Sequence, residues 1–191
     1  MLFGFGIAQA ATPQQASDLV KSTTDRLLSE LQRRRSEINT NPQAVFDLAD
    51  RIAVPHFDFE LITRYAMGRH WQRASARQRT ELVTEFRTLL VCTYAKALRS
   101  YSGQQIVLLP TRKSRREDRV LVRSQVKMPS RNAIISIDYR MYAKNGHWKV
   151  YDVIIDGVSL VKNYRNEFSQ EVRRNGVSGL IRKLQDRNRK C

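Results

Sequence analysis

The chain has 191 residues, 41% hydrophobic and 27% charged, a composition that folds into a core and excludes an intrinsically disordered chain. Thirty-four Lys and Arg against eighteen Asp and Glu leave a net charge of +16, which fits nucleic acid, an anionic membrane surface or an acidic protein as partner. Residues 1–10 carry no charge, and outside them no stretch approaches the 18 apolar residues of a membrane span.

Residues 1–10 end in Ala8-Gln9-Ala10, the small-x-small pattern of a signal-peptidase site, and read as the remnant of an export signal. A single domain is expected over 11–191. Thr12-Pro13 with Gln15 combines an N-cap, proline at the first helical position and a capping-box glutamine. The helix it starts carries Leu19, Leu27, Leu28 and Leu31 and is expected to run to about Glu37. Asn41-Pro42 opens a second helix, Asp58 caps a third, and Ser75 with Gln78 opens the longest. Leu82, Phe86, Leu89, Leu90, Ala97 and Tyr101 form one stripe of that helix, which Gly103 ends. Cys92 falls within it, where cysteine behaves as a small buried hydrophobe. The sequence leaves open whether it pairs with Cys191, and the two cysteines match no zinc spacing.

The period then changes from helical to twofold. Residues 106–109 make a short strand stopped by Pro110. Val120, Val122, Ser124, Val126 and Met128 alternate with Leu121, Arg123, Gln125 and Lys127, and Ala133, Ile135, Ile137, Tyr139 and Met141 alternate with Ser136, Asp138 and Arg140. Asn145-Gly146 is a tight hairpin signal, and residues 148–155 form a fourth strand rich in aromatic and β-branched residues. Asp156-Gly157 stops it. Val158, Val161, Tyr164 and Phe168 then recur at helical spacing, and Gly176 interrupts the last helix. The fold class is α+β: a curved four-stranded antiparallel sheet, one face apolar, packed against N- and C-terminal helices and enclosing an apolar pocket.

Chemical motifs are sparse. His56, His70 and His147 lie in different elements and belong to no metal or nucleophile pattern. No phosphate-binding glycine loop is present, and Gly176-Val177-Ser178-Gly179 lacks the spacing of a nucleophile elbow. A pocket of the ketosteroid-isomerase type would need an ionisable group inside it, and Tyr139, Tyr151, Asp138 and Asp152 are the candidates. Alternation puts Asp138 opposite Tyr139, and both aspartates read as solvated or edge-pairing residues. Basic residues crowd two places, Arg112–Arg119 and Arg182–Lys190. Tyr139 and Trp148 share faces with Ile and Val, unlike the exposed aromatics of a nucleic-acid-binding sheet.

Three segments, FDFELITRYAMGRHW at 57–71, SARQR at 75–79 and KVYDVIIDGVSLVKNYR at 149–165, resemble the MlaC family of toluene-tolerance auxiliary proteins. The likeness covers nearly all of 13–187. It implies a periplasmic, non-enzymatic phospholipid carrier with no cofactor, its cargo a phospholipid. The implied partners are an inner-membrane ABC lipid transporter complex and an outer-membrane lipoprotein–porin complex, not nucleic acid. The tail pocket is expected to be lined from the sheet by Val120, Val122, Ile135, Ile137, Tyr139, Met141, Trp148 and Val150. Leu61, Tyr65, Leu89, Leu90, Val161, Tyr164 and Phe168 are expected to face them, with Tyr101 and Lys162 near the head group. The alternatives are a small-molecule enzyme of the isomerase type and a basic nucleic-acid-binding module.

Overall fold

The computed structural model describes residues 11–41, 43–128 and 132–190. Residues 1–10, read above as an export remnant, lie outside them, as do Pro42 and Cys191. Helices come first: α1 (Pro13–Arg33), α2 (Arg35–Thr40), α3 (Gln43–Ile52), α4 (Phe59–Met67) and α5 (Ala76–Arg99). Strands β1 (Gln105–Lys113), β2 (Arg119–Met128), β3 (Ala133–Lys144), β4 (His147–Ile155) and β5 (Val158–Ser159) follow, and α6 (Leu160–Asn188) closes the chain.

The helix starts are set by local chemistry. Thr12 Oγ1 accepts from the Gln15 amide at 3.3 Å while Gln15 Oε1 accepts from the Thr12 amide at 2.8 Å. Ser75 and Gln78 repeat that exchange at 3.2 and 3.0 Å. Asp58 caps α4 by accepting from the Leu61 amide at 2.9 Å. The first helical run ends earlier than expected, because the backbone leaves helical geometry at Arg34 and α2 starts afresh.

The sheet is an antiparallel meander in the order β1-β2-β3-β4-β5. It has one strand more than expected, since Val158 and Ser159 pair with Ile155 and Ile154 before α6 begins. The turn before β5 needs Asp156 and Gly157 at φ 47° and 81°, and Asn145-Gly146 turns β3 into β4 at φ 51° and 78°. Strand β1 also runs past Pro110 to Lys113. As an edge strand it tolerates the missing N–H, and its pairing with β2 shifts between Leu109 and Arg112. A second shift, at Arg140/Met141 against β4, leaves Tyr151 unpaired. Such bulges bend strands and increase their twist.

Three apolar clusters hold the layers together. Phe86 of α5 meets Tyr164 and Phe168 of α6 with ring centroids 4.8 Å apart, inside a helical core that includes α4 and Trp71. A second cluster joins α1, α2, α3 and α5 through Leu31, Ile38, Val45, Leu48 and Ala95. The third lies between α1 and the sheet, where Ala16 and Val20 pack on Val120, Val122, Met141 and Trp148. Cys92 is buried on α5 and disulfide-bonded.

Asp152 proves to be structural. It is buried and accepts from Arg140 Nη1 at 2.7 Å, Ser159 Oγ at 2.7 Å and the Val161 amide at 3.1 Å. Ser159 in turn caps α6 by accepting from the Lys162 amide at 3.1 Å. This network replaces the solvated role expected of Asp152 and fixes α6 to the sheet by its first turn. The rest of α6 lies on α4 and α5.

Candidate functional site

The inner face of the sheet is made by every second residue of β2, β3 and β4, and the register aligns them in rows. Val120 pairs with Met141, Val122 with Tyr139, Ser124 with Ile137 and Val126 with Ile135. Helix α1 covers this face unevenly. At the Met141 end its first turns seal the sheet, and Trp148 Nε1 donates to the Thr12 carbonyl at 2.9 Å. Toward Ile135 the helix and the sheet stand apart, and a cavity of about 640 Å³ opens between them.

The cavity is mainly aliphatic and aromatic. From the sheet come Ile135, Ile137, Tyr139, Met141 and Val150, all picked from the sequence, together with Ile106, Val126 and Met128. Helix α1 supplies Leu19, Val20, Leu27 and Leu28, and the end of α5 supplies Ala97 and Leu98. Phe57 reaches the wall because the chain before α4 runs beside β4, where the Asp58 amide donates to the Val150 carbonyl at 2.9 Å. Tyr101 also lines the cavity, as do Ser100, Ser102 and Gln104 of the connector between α5 and β1.

The other sequence-picked residues, Tyr101 apart, fall outside the cavity wall. Val120, Val122 and Trp148 share the inner face but lie at its sealed end. Leu89, Leu90, Val161, Tyr164 and Phe168 lie in or against the helical core. Leu61 is half-buried on α4 and Lys162 exposed on α6. Tyr65 meets Tyr151 edge-on, and its hydroxyl accepts from Arg119 at 3.4 Å. Because the stripe of α6 is taken up by Phe86 and α4, α1 is the helix left to roof the sheet. Two signals could have found the missed wall residues: the α1 leucines, which had no assigned partner, and Val126 and Met128, which continue the alternation of Val120.

The electrostatics of the wall are muted. Among the described residues no carboxylate lines the cavity. Burial, assisted by nearby Lys149 and Arg26, lowers the pKa of His56, so its imidazole is neutral at pH 7. Burial pushes the Tyr139 hydroxyl up, so it too stays uncharged. Charge is kept outside, where Lys144 Nζ donates to Asp58 at 2.8 Å and the Tyr142 hydroxyl donates to the same oxygen. Burial works against the Asp58 anion, yet bonds from Lys144, Tyr142 and the Leu61 amide outweigh it and hold the carboxyl below its usual range. Burial and Asp58 together push Tyr142 up to about 12. Among the described residues no group of three or more His, Cys, Asp or Glu could hold a metal. None of the described helices is long and apolar enough to cross a membrane.

A family model described as MlaC protein matches residues 21–186. The toluene tolerance protein ttg2D of Pseudomonas putida is 28% identical over 165 residues, covering 85% of this chain and 75% of that protein. The intermembrane phospholipid transport system binding protein MlaC of Haemophilus influenzae is 27% identical over 173 residues, 87% of this chain and 79% of that one. A phospholipid-binding protein from Ralstonia solanacearum, solved in complex with a phospholipid, matches with a TM-score of 0.84 at 33% identity. That match covers 95% of this chain and 98% of the other.

Proposed function

This chain belongs to the MlaC family, and on that premise we propose that it is a periplasmic phospholipid carrier holding acyl tails between α1 and the open half of the sheet. The observation that carries the reading is the cavity: about 640 Å³, walled by apolar side chains, in a chain whose Ralstonia relative was solved with a phospholipid. Tails lie against Ile135, Ile137, Tyr139, Met141 and Val150 on one side and Leu19, Leu27 and Leu28 on the other.

The energetics suit a carrier. Two tails of about fifteen methylenes each, at ~0.8 kcal/mol per buried CH₂, represent roughly 25 kcal/mol of gross burial. Non-covalent affinities saturate near ~18–21 kcal/mol, so ordering and desolvation offset part of this. Release into water is still very slow, and unloading requires contact with an acceptor. In the family's pathway the two ends are an outer-membrane lipoprotein–porin complex and an inner-membrane ABC transporter. The net charge of +16 draws the carrier toward acidic surfaces and anionic head groups. No step of this reading involves turnover.

The test is organic extraction and mass spectrometry of protein purified without detergent. Near-stoichiometric phospholipid is expected. Protein that arrives empty and takes up none from phospholipid vesicles refutes the reading.

A further inference from the structure

Polar groups line the cavity at Thr23 and Thr24 of α1 and at His56, and their densest run lies between α5 and β1. Ser100, Tyr101, Ser102 and Gln104 belong to the single connector between α5 and β1, turned by Gly103 at φ 92°. This connector borders the open end. Ile106, just after it, pairs with Val126, and Val126 pairs with Ile135, in the half-buried rows of the sheet. At the far end Met141 and Val150 are fully buried and Phe57 closes the wall.

A cation that is not itself part of the cavity wall is fixed to the connector backbone. In the run Arg33-Arg34-Arg35, the first two side chains are taken by Glu30 and Glu37, each at 2.6 Å. Arg35 instead donates Nη1 to the Tyr101 carbonyl at 2.5 Å, across 66 residues of chain. Among the described residues it has no ion pair, and it is exposed, so most of its five N–H donors remain available. The chain from residue 86 to 116 contains no acidic residue, while Arg99 precedes the connector and Lys127 pairs with Gln105 just after it. Within the connector, the Ser102 amide donates to Gln104 Oε1 at 2.8 Å and Gln104 Nε2 donates to Ser102 Oγ at 3.1 Å. Both bonds use Gln104, and the Ser102 hydroxyl proton stays free to donate.

We infer that the α5–β1 connector is the head-group end of the cavity, where Arg35 and the hydroxyls of Ser100 and Ser102 receive the phosphate of the bound lipid. The assignment rests on the carrier reading and gives it a polarity: phosphate at the connector, tail ends at Phe57, Met141 and Val150. A guanidinium with hydroxyl donors suits a phosphate oxygen, the one group common to all phospholipid heads. The remainder of the head group faces water beyond the connector.

Two photoreactive phospholipids test this, one with a diazirine on the head group and one with it at the end of a tail. Each is loaded from vesicles, irradiated, and its adducts are mapped by peptide mass spectrometry. The head-group probe is expected to label 100–104, and the tail probe the peptides carrying Phe57, Met141 or Val150. Arg35→Gln should lower the connector label about tenfold with the tail label unchanged, and Arg35→Lys should recover most of it. Excess inorganic phosphate should displace nothing, since the tails hold the lipid. Reversed labelling, full connector label in Arg35→Gln, or loss of that label to inorganic phosphate would each overturn the assignment while leaving the carrier intact. Failure of both probes to load overturns the carrier reading and this polarity with it.

Discussion

Replacing Ile137 by glutamate puts a carboxylate on the cavity wall, while the same change at Ile134, three residues earlier, puts it on the opposite face. Ile137 lines the cavity, whereas Ile134 is 59% exposed. In the empty protein the new charge at 137 is hydrated through the open end. With tails in place it must lie against hydrocarbon, which costs about 2.5–3.5 kcal/mol for a charged side chain on insertion scales. The competing state for the lipid is a bilayer, where the tails are equally content, so burial gained in the cavity does not mask the penalty. Occupancy at equilibrium with membranes therefore drops roughly a hundredfold in Ile137→Glu and hardly changes in Ile134→Glu. The assay is phospholipid per folded protein, by mass spectrometry after incubation with vesicles, with circular dichroism to confirm folding. Equal occupancy in folded Ile137→Glu and wild type, or an equal loss in both variants, would refute the placement of tails on this face.

Other perturbations address the scaffold. His70 is buried, its Nε2 3.2 Å from Ser169 Oγ and its Nδ1 without a partner among the described residues, and burial followed by Arg69, Arg73 and Arg173 lowers its pKa below the ordinary 6.5. The unfolded chain therefore binds this proton first: stability is fully present above about pH 6.5 and declines as pH falls below it toward the folded pKa. His70→Gln should flatten urea-measured stability between pH 7 and 5, and an unchanged slope would contradict the assignment. Gly176 has φ 69° and ψ −179°, a region essentially closed to other residues, with nothing within 4 Å of an added Cβ. Gly176→Ala should thus cost about 1–3 kcal/mol from backbone strain alone, seen as a lower Tm. Asp152→Ala leaves Ser159 and the Val161 amide without their acceptor and should cost about 3 kcal/mol in urea unfolding. Arg140→Ala, at a side chain 37% exposed, should cost far less.

Much of the architecture could be read from residues adjacent in the chain. Thr12 with Gln15, Ser75 with Gln78, and Asp58 each start a helix by bonding within three residues, so their effect needs no tertiary partner. Alternation along β2 and β3 separated the inner from the outer face because side chains of a strand point to opposite sides whatever lies above them. The segments at 57–71, 75–79 and 149–165 carried the family likeness. Strand β5 was missed because two residues have no period, and Pro110 was read as a stop because only the sheet order reveals β1 as an edge.

What the sequence by itself determined was therefore the set of apolar faces: the inner rows of the sheet and the stripes of α1, α5 and α6. Which face meets which was decided only by the tertiary structure. The stripe of α6 met Phe86 and α4, so Val161, Tyr164 and Phe168 became core, while α1 became the roof over Ile135, Ile137 and Tyr139. Apolar burial is non-directional, and an isoleucine pattern is the same whether its neighbour is a helix or an empty space. The separation of two packed layers, not the identity of any residue, makes the cavity. Arg35 depends on the same long-range geometry, because it comes to Tyr101 only when α2 has been folded back against the end of α5.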